Sequence, residues 1–375
     1  MMKRKSNIEL LRIIAMVMIV GHHYAVHGVL HKLTGGGGYI EGSLPNKILV
    51  CLLEPGGTVG VAVFFMITGF FLINRKEASP QKVIEETIYY GIICALAGVG
   101  VKLLAHEEIS WGNILKTATV SATNGGVWWF ATAYVFLLML VPYINKYATG
   151  CSLIEYKKML TIIWIFPYSG DILFSGLYTS VSKAILFYLI GGFIRRFKER
   201  IKIPPKICLA ILVGGWISNS AVSFLEYEGM IGKLGDIINE SLFTCVTACA
   251  LFILFCNLDL SNKYINKISS TMYGVYLISD SIVLREFIWN NIWRVNLQYK
   301  QSNFALLAMI SIVGTVVVCG LIDYTRILFI EPWLRKTIPP KIYMPIKAPY
   351  RTIIPAPPHT YRQNHSGEIL TNATS

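Results

Sequence analysis

The chain has 375 residues, of which 54% are apolar and 15% charged, with a mean hydropathy of +0.54 and a formal net charge of +13. Soluble globular proteins carry about 25% charged residues, so this composition excludes a disordered chain, a disulfide-stapled secreted domain and an ordinary soluble enzyme. It leaves a polytopic membrane protein, in which excess Lys and Arg mark cytoplasmic loops rather than a nucleic-acid partner.

Met1 to Val29 has a basic cap and an apolar stretch but no small-residue cleavage site, and reads as a retained first span rather than a signal peptide. Apolar runs bounded by charges or turn residues predict an all-α fold of about ten transmembrane helices, at 8–28, 48–73, 83–105, 127–146, 159–168, 180–196, 206–224, 236–257, 268–290 and 303–331. The fifth is short and ends at Pro167, so the charge distribution serves as a test of parity. With the N-terminus inside, 23 of the 34 basic residues fall on cytoplasmic segments, 7 on outer segments, and 4 (Arg12, Lys183, Arg285 and Arg326) within spans. This bias predicts N-in and C-in topology, an even number of spans and a multi-pass protein of the cell membrane. Residues 1–335 form the predicted transmembrane domain, and the basic, proline-rich segment 336–375 is predicted to be a disordered cytoplasmic tail. The eight cysteines have no C-x-x-C pair and mostly sit in apolar runs, so they read as small core residues and no metal is expected. The Gly35 to Gly38 run lacks the Lys-Ser/Thr of a phosphate loop and reads as a flexible connection.

Ionisable groups at membrane depth are costly and are functional-site candidates by default. Arg12 and His23 are eleven residues apart, about three helical turns, so they share one face some ~16 Å apart along the axis. Glu9 is spaced to pair with Arg12, His27 returns toward the face of His23, and His22 points ~100° away from it. A neutral imidazole can take a proton from a hydroxyl or carry an acyl group, and an arginine fork suits an anionic cofactor phosphate. Asp280, within the ninth span, needs a partner; Asp323 and Arg326 are spaced to pair with each other. Lys183 and Arg285 lie near outer helix ends, where snorkelling is expected. His106 belongs to a His-Glu-Glu cluster that is not a zinc motif and is assigned no role.

The Arg-x10-His spacing of the first span resembles the signature of acyltransferase family 3, integral membrane proteins that acylate cell-surface sugars and related acceptors. Three further segments are similar to that family in order: Phe64 to Leu72 (FFMITGFFL), Gly126 to Phe130 (GVWWF) and Ser269 to Ser279 (SSTMYGVYLIS). Thr68 stands where the family usually has serine, and Ser279 where many members have histidine, so no role of that histidine carries over. The resemblance covers residues 7 to about 335 and implies a membrane acyltransferase, most often an O-acetyltransferase, using acetyl-CoA or another acyl-CoA from the cytoplasm. It implies a carbohydrate acceptor in the cell envelope or an exported polysaccharide, His23 as general base or transient acyl carrier, and Arg12 holding the donor. Thr68, Trp128, Trp129 and Tyr134 are expected to line the substrate site. Arg75 and Lys76, after the second span, either bind donor phosphates or act as positive-inside anchors. The alternative is a polytopic transporter or flippase for an envelope precursor, against which stands the lack of an inverted repeat; a glycosyltransferase lacks an Asp-x-Asp metal motif.

Overall fold

The computed structural model describes residues 5–30, 42–104, 106, 108, 110–112, 128–173, 177–231, 239–282, 284–333 and 346–347. The Gly35 to Gly38 run and all of the predicted tail except Ile346 and Lys347 lie outside these residues. The first predicted span folds as α1 (Ser6–His23) and continues as a π-helical turn over Tyr24–Leu30. The second divides into α2 (Leu44–Leu53) and α3 (Gly56–Leu72) at Glu54 and Pro55. Then come α4 (Gln81–Leu104), α5 (Trp129–Ala148), α6 (Leu153–Leu173), α7 (Leu177–Arg196) and α8 (Pro205–Tyr227). Pro205 opens α8 because its fixed φ suits the first helical position, where a missing N–H costs nothing. A π-helical turn over Asn239–Phe243 leads into α9 (Thr244–Cys256).

Two further predicted spans differ from the observed elements. Expected to stop at Pro167, α6 runs through it for 21 residues; within a helix bundle, neighbouring groups can satisfy the backbone that a proline frees. The predicted ninth helix at 268–290 is discontinuous. It folds as α10 (Lys263–Ser269) and α11 (Met272–Ser279), then turns at Asp280 and continues through a π-helical turn over Phe287–Ile292 into α12 (Val295–Gln298). At the first break Ser270 Oγ donates to the Lys267 carbonyl at 2.6 Å and Thr271 Oγ1 to that of Ile268 at 2.8 Å. Such local side-chain bonds compete with the helical ladder, which is the physical reason an apolar run reads as one helix and folds as two. The last long helix, α13 (Phe304–Thr325), ends in a π-helical turn over Arg326–Ile330.

Among the described residues, six helical stretches are long and apolar enough to cross a bilayer: Ser6–Leu30, Leu44–Leu72, Gln81–Leu104, Trp129–Ala148, Pro205–Tyr227 and Phe304–Trp333. Close backbone contact sets their arrangement. A Cβ on Gly60 would stand 2.7 Å from the Ala15 carbonyl oxygen, so α1 and α3 touch through their backbones. Small residues at such crossings drive helix association where lipid removes most of the hydrophobic incentive. Gly56 faces the Met18 carbonyl and Gly60 that of Ala15, so α1 runs antiparallel to α3. In contrast, Glu9 meets Ser269 and His23 meets Asp280, so α1 runs parallel to α10 and α11. The Arg12 end of α1 is tied down by Asn7, which donates to the Phe255 carbonyl at 2.9 Å, and by Ser6, which receives the Asn262 N–H at 2.9 Å. Asn262 caps α10 by accepting from the Tyr264 N–H at 2.8 Å, which satisfies one of that helix's orphan donors. Glu77–Ala78, after α3, pairs antiparallel with Ile346–Lys347.

Candidate active site

Two local irregularities build the site. The first is where α1 gives way to the π-helical turn immediately after His23; π segments of this kind recur at functional sites because the widened turn redirects side chains. It brings His27 beside His23, with ring centroids 5.4 Å apart. The second is the end of α11. There the Ser281 N–H turns back to Ile278 O, and the Leu277 carbonyl accepts instead from the Trp128 indole at 3.1 Å. Trp128 is held in the left-handed region, with φ 59°, as it makes this contact.

Terminating α11 places Asp280 opposite both imidazoles. Asp280 Oδ1 lies 3.8 Å from His23 Nε2, 3.5 Å from His27 Nε2 and 3.9 Å from an Arg285 guanidinium nitrogen. His23 is 7% exposed, and its Nδ1 has no hydrogen-bond partner among the described residues. His22 and His23 also line a cavity of about 250 Å³, opposite Lys183 of α7 and beside Thr58, Trp129 and Tyr276. Gly57 makes room for this wall, since a Cβ there would lie 2.5 Å from the His22 ring. His22 is fixed by a 2.7 Å contact between its Nδ1 and the Glu54 carbonyl.

The residues predicted for the site divide into three groups. His23 and Trp129 line the cavity. Trp128 does not: fully buried, it braces the end of α11. Thr68 and Tyr134 form a separate pair behind the cavity, 3.3 Å apart, with Phe130 stacked on Tyr134 and continuing to the cavity wall. Arg12 also stands apart from the cavity. It donates to Glu9 at 2.7 Å and approaches Ser269 Oγ at 3.5 Å, while 27% of its side chain stays exposed. Arg75 and Lys76 are exposed just beyond α3. Ser279 is fully buried, and its hydroxyl has no partner among the described residues.

The structure adds three placements. His22 is also a cavity wall, because Gly57 leaves room for its ring. Lys183, near an outer helix end, is among the residues lining the cavity. Arg285 turns toward Asp280, where it meets a buried carboxylate. The sequence pointed to this cluster through the acid inside an apolar run and through the face shared by His23 and His27, but not to their meeting. The two histidines lie some 250 residues from Asp280 and leave no local pattern with it, whereas Arg285 is its near neighbour in the chain.

An imidazole with one nitrogen facing a carboxylate and the other unpartnered in a cavity wall is arranged to take up a proton. The carboxylate favours the tautomer protonated on its own side, leaving the other lone pair as base. One donor atom from each of His23, His27 and Asp280 also lies within 4.8 Å of the others, a donor set that can hold a divalent ion. Arg285 already supplies positive charge at that carboxylate.

A family model described as an acyltransferase domain matches residues 5–324. No curated protein and no solved structure matches the chain.

Proposed function

The chain belongs to acyltransferase family 3, which makes it a membrane acyltransferase, and from that premise we propose that it transfers an acetyl group from cytoplasmic acetyl-CoA to a hydroxyl of a cell-envelope or exported polysaccharide. The observation that carries this reading is His23: buried in the cavity wall, faced by Asp280 on Nε2 and unpartnered on Nδ1. In this reading the acceptor hydroxyl enters the cavity and gives its proton to His23 Nδ1 as its oxygen bonds to the thioester carbonyl carbon. The C–S bond then breaks, and the departing CoA thiolate takes the proton from His23. No net proton is gained or lost. Asp280 holds the Nε2–H and offsets the imidazolium formed in passing, a contact expected to shorten once substrates close the site.

Arg12 acts on the donor at the other end of α1. Its exposed guanidinium suits a phosphate, and a stand-off of ~16 Å suits a donor whose phosphates and thioester lie at opposite ends of a long arm. With the N-terminus inside and about ten spans, this end faces the cytoplasm, and exposed Arg75 and Lys76 add positive charge on the same side. Thr68 and Tyr134 line the path between the two ends, and Trp129 offers the acceptor a flat ring. The protein then sits in the cell membrane as a multi-pass enzyme.

The test is mass spectrometry of surface polysaccharides from cells with and without the protein, paired with labelled acetyl-CoA supplied to the full chain in lipid nanodiscs. A mass difference of one acetyl group and label on the polymer are expected. Identical polymers in both strains, with no label transferred, would sink the proposal.

A further inference from the structure

Resting on the reading of the cavity as the place of acyl transfer, we infer that the Tyr276 hydroxyl and the uncapped N-terminus of α5 form an oxyanion hole for the thioester carbonyl oxygen. Tyr276 lies on α11 one turn before Asp280, whose N–H donates to the Tyr276 carbonyl at 3.0 Å, so the two side chains leave the same side of the helix. Asp280 faces His23 from that side, and Tyr276 lines the cavity together with His23. Tyr276 is 4% exposed, and its hydroxyl has no hydrogen-bond partner among the described residues. A buried phenol left in that state costs stability that phenylalanine, its apolar isostere, would not, which calls for a partner the reaction itself brings.

The second part of the hole is the start of α5. Its N-cap residue is Trp128, whose indole can only donate and is engaged by the Leu277 carbonyl, so the first-turn N–H groups have no side-chain cap. Trp129 and Phe130 of that turn line the cavity, and the Phe130 and Ala131 N–H groups approach the Tyr276 oxygen without reaching hydrogen-bond geometry. The Phe130 ring meets the Tyr276 ring edge to face, with centroids 5.4 Å apart, and holds the phenol against this turn. A phenolic O–H and the positive end of a helix dipole thus converge on the wall of the cavity that also holds the base. When the acceptor oxygen bonds to the carbonyl carbon, negative charge gathers on the carbonyl oxygen, and it is withdrawn as the C–S bond breaks and the C=O re-forms. Tyr276 donates a hydrogen bond to that oxygen and keeps its proton throughout, while the proton in transit passes through His23. Donors fixed in place before the reaction stabilise such charge without reorganising.

The experiment uses the full chain in lipid nanodiscs, labelled acetyl-CoA, and polysaccharide from cells that lack the protein. Tyr276→Phe is expected to lower kcat by about 10²–10³-fold, the usual worth of one oxyanion donor, with the KM for acetyl-CoA and for the acceptor unchanged. Its melting temperature should equal or exceed the parent's, because the hydroxyl it removes is buried without compensation among the described residues. The pH profile of kcat should keep its shape, since the phenol carries no proton in transit. A lower rate with a lower melting temperature would make the hydroxyl a structural group, a raised KM with kcat intact a binding group, and a reshaped pH profile a proton carrier; each overturns the inference, as does a kcat equal to the parent's. In all of these the parent still transfers label and the acetyltransferase reading stands. A parent that transfers no label overturns that reading itself.

Discussion

Two buried charge clusters flank α11, and they are built differently. At the Arg12 end of the bundle, Arg326 meets Asp323 at 2.6 Å and Glu86 at 2.9 Å, and Tyr90 donates to Asp323 at 2.7 Å. At the other end, Asp280 stands 3.5 to 3.9 Å from His27, His23 and Arg285, beside a cavity, with one imidazole nitrogen unpartnered. In the first cluster Asp323 accepts from Arg326 Nε and from the Tyr90 hydroxyl, and Glu86 forms a close ion pair with Arg326, as expected where ions serve to join α4 to α13 and the turn that follows it. The second has the same kinds of groups at distances that leave room to reorganise, as expected where a proton must move. Buried charge alone does not distinguish fastening from chemistry; the closeness of contact and access to a cavity do.

His23→Ala tests that contrast most severely: acetyl transfer should fall by about 10²–10⁴-fold, the usual worth of a positioned general base, while the protein inserts and melts as the parent does. Wild-type rates in normally inserted protein would remove His23 from the mechanism. Asp323→Ala should do the opposite. Removing one partner from a buried ion cluster costs about 3–5 kcal/mol, read as a lower melting temperature in detergent, with transfer per folded molecule unchanged; a rate loss without a stability loss would erase the distinction. Asp280→Asn is expected to lower kcat by about 10²-fold through loss of the imidazolium's counter-charge, and a KM effect alone would make Asp280 a binding group. Arg12→Lys keeps the charge opposite Glu9 but loses the planar fork, so the KM for acetyl-CoA should rise about tenfold with the acceptor KM unmoved. Chelation should have the smallest effect, leaving activity intact; loss on EDTA treatment and recovery with zinc would make His23, His27 and Asp280 a metal centre instead.

Much of the bundle was legible in the sequence because apolar length is a local property. The runs at 8–28, 206–224 and 303–331 became α1 with its π-helical turn, α8 and α13. The Glu9–Arg12 and Asp323–Arg326 pairs were legible for the same reason, since i, i+3 spacing places two side chains on one helical face whatever the rest of the chain does. The breaks were harder to read. Ser270 and Thr271 end α10 through hydroxyl bonds to carbonyls three residues back, a choice that apolar periodicity does not register. Trp128 and Trp129 looked equivalent as neighbours in sequence, but α5 begins between them, so one caps the end of α11 while the other faces the cavity.

By itself the sequence determined a helical membrane protein, the face shared by Arg12 and His23, and a family resemblance that the match over residues 5–324 bears out. Composition, helical pitch and motif order all act within one segment or along the chain. Only the tertiary structure decided that His23 meets Asp280, that Lys183 of α7 faces the same space, and that Arg12 stands apart from it. Those contacts join residues separated by up to about 250 positions, and they exist only once α11 ends where it does and the backbones of α1 and α3 close on each other through glycine.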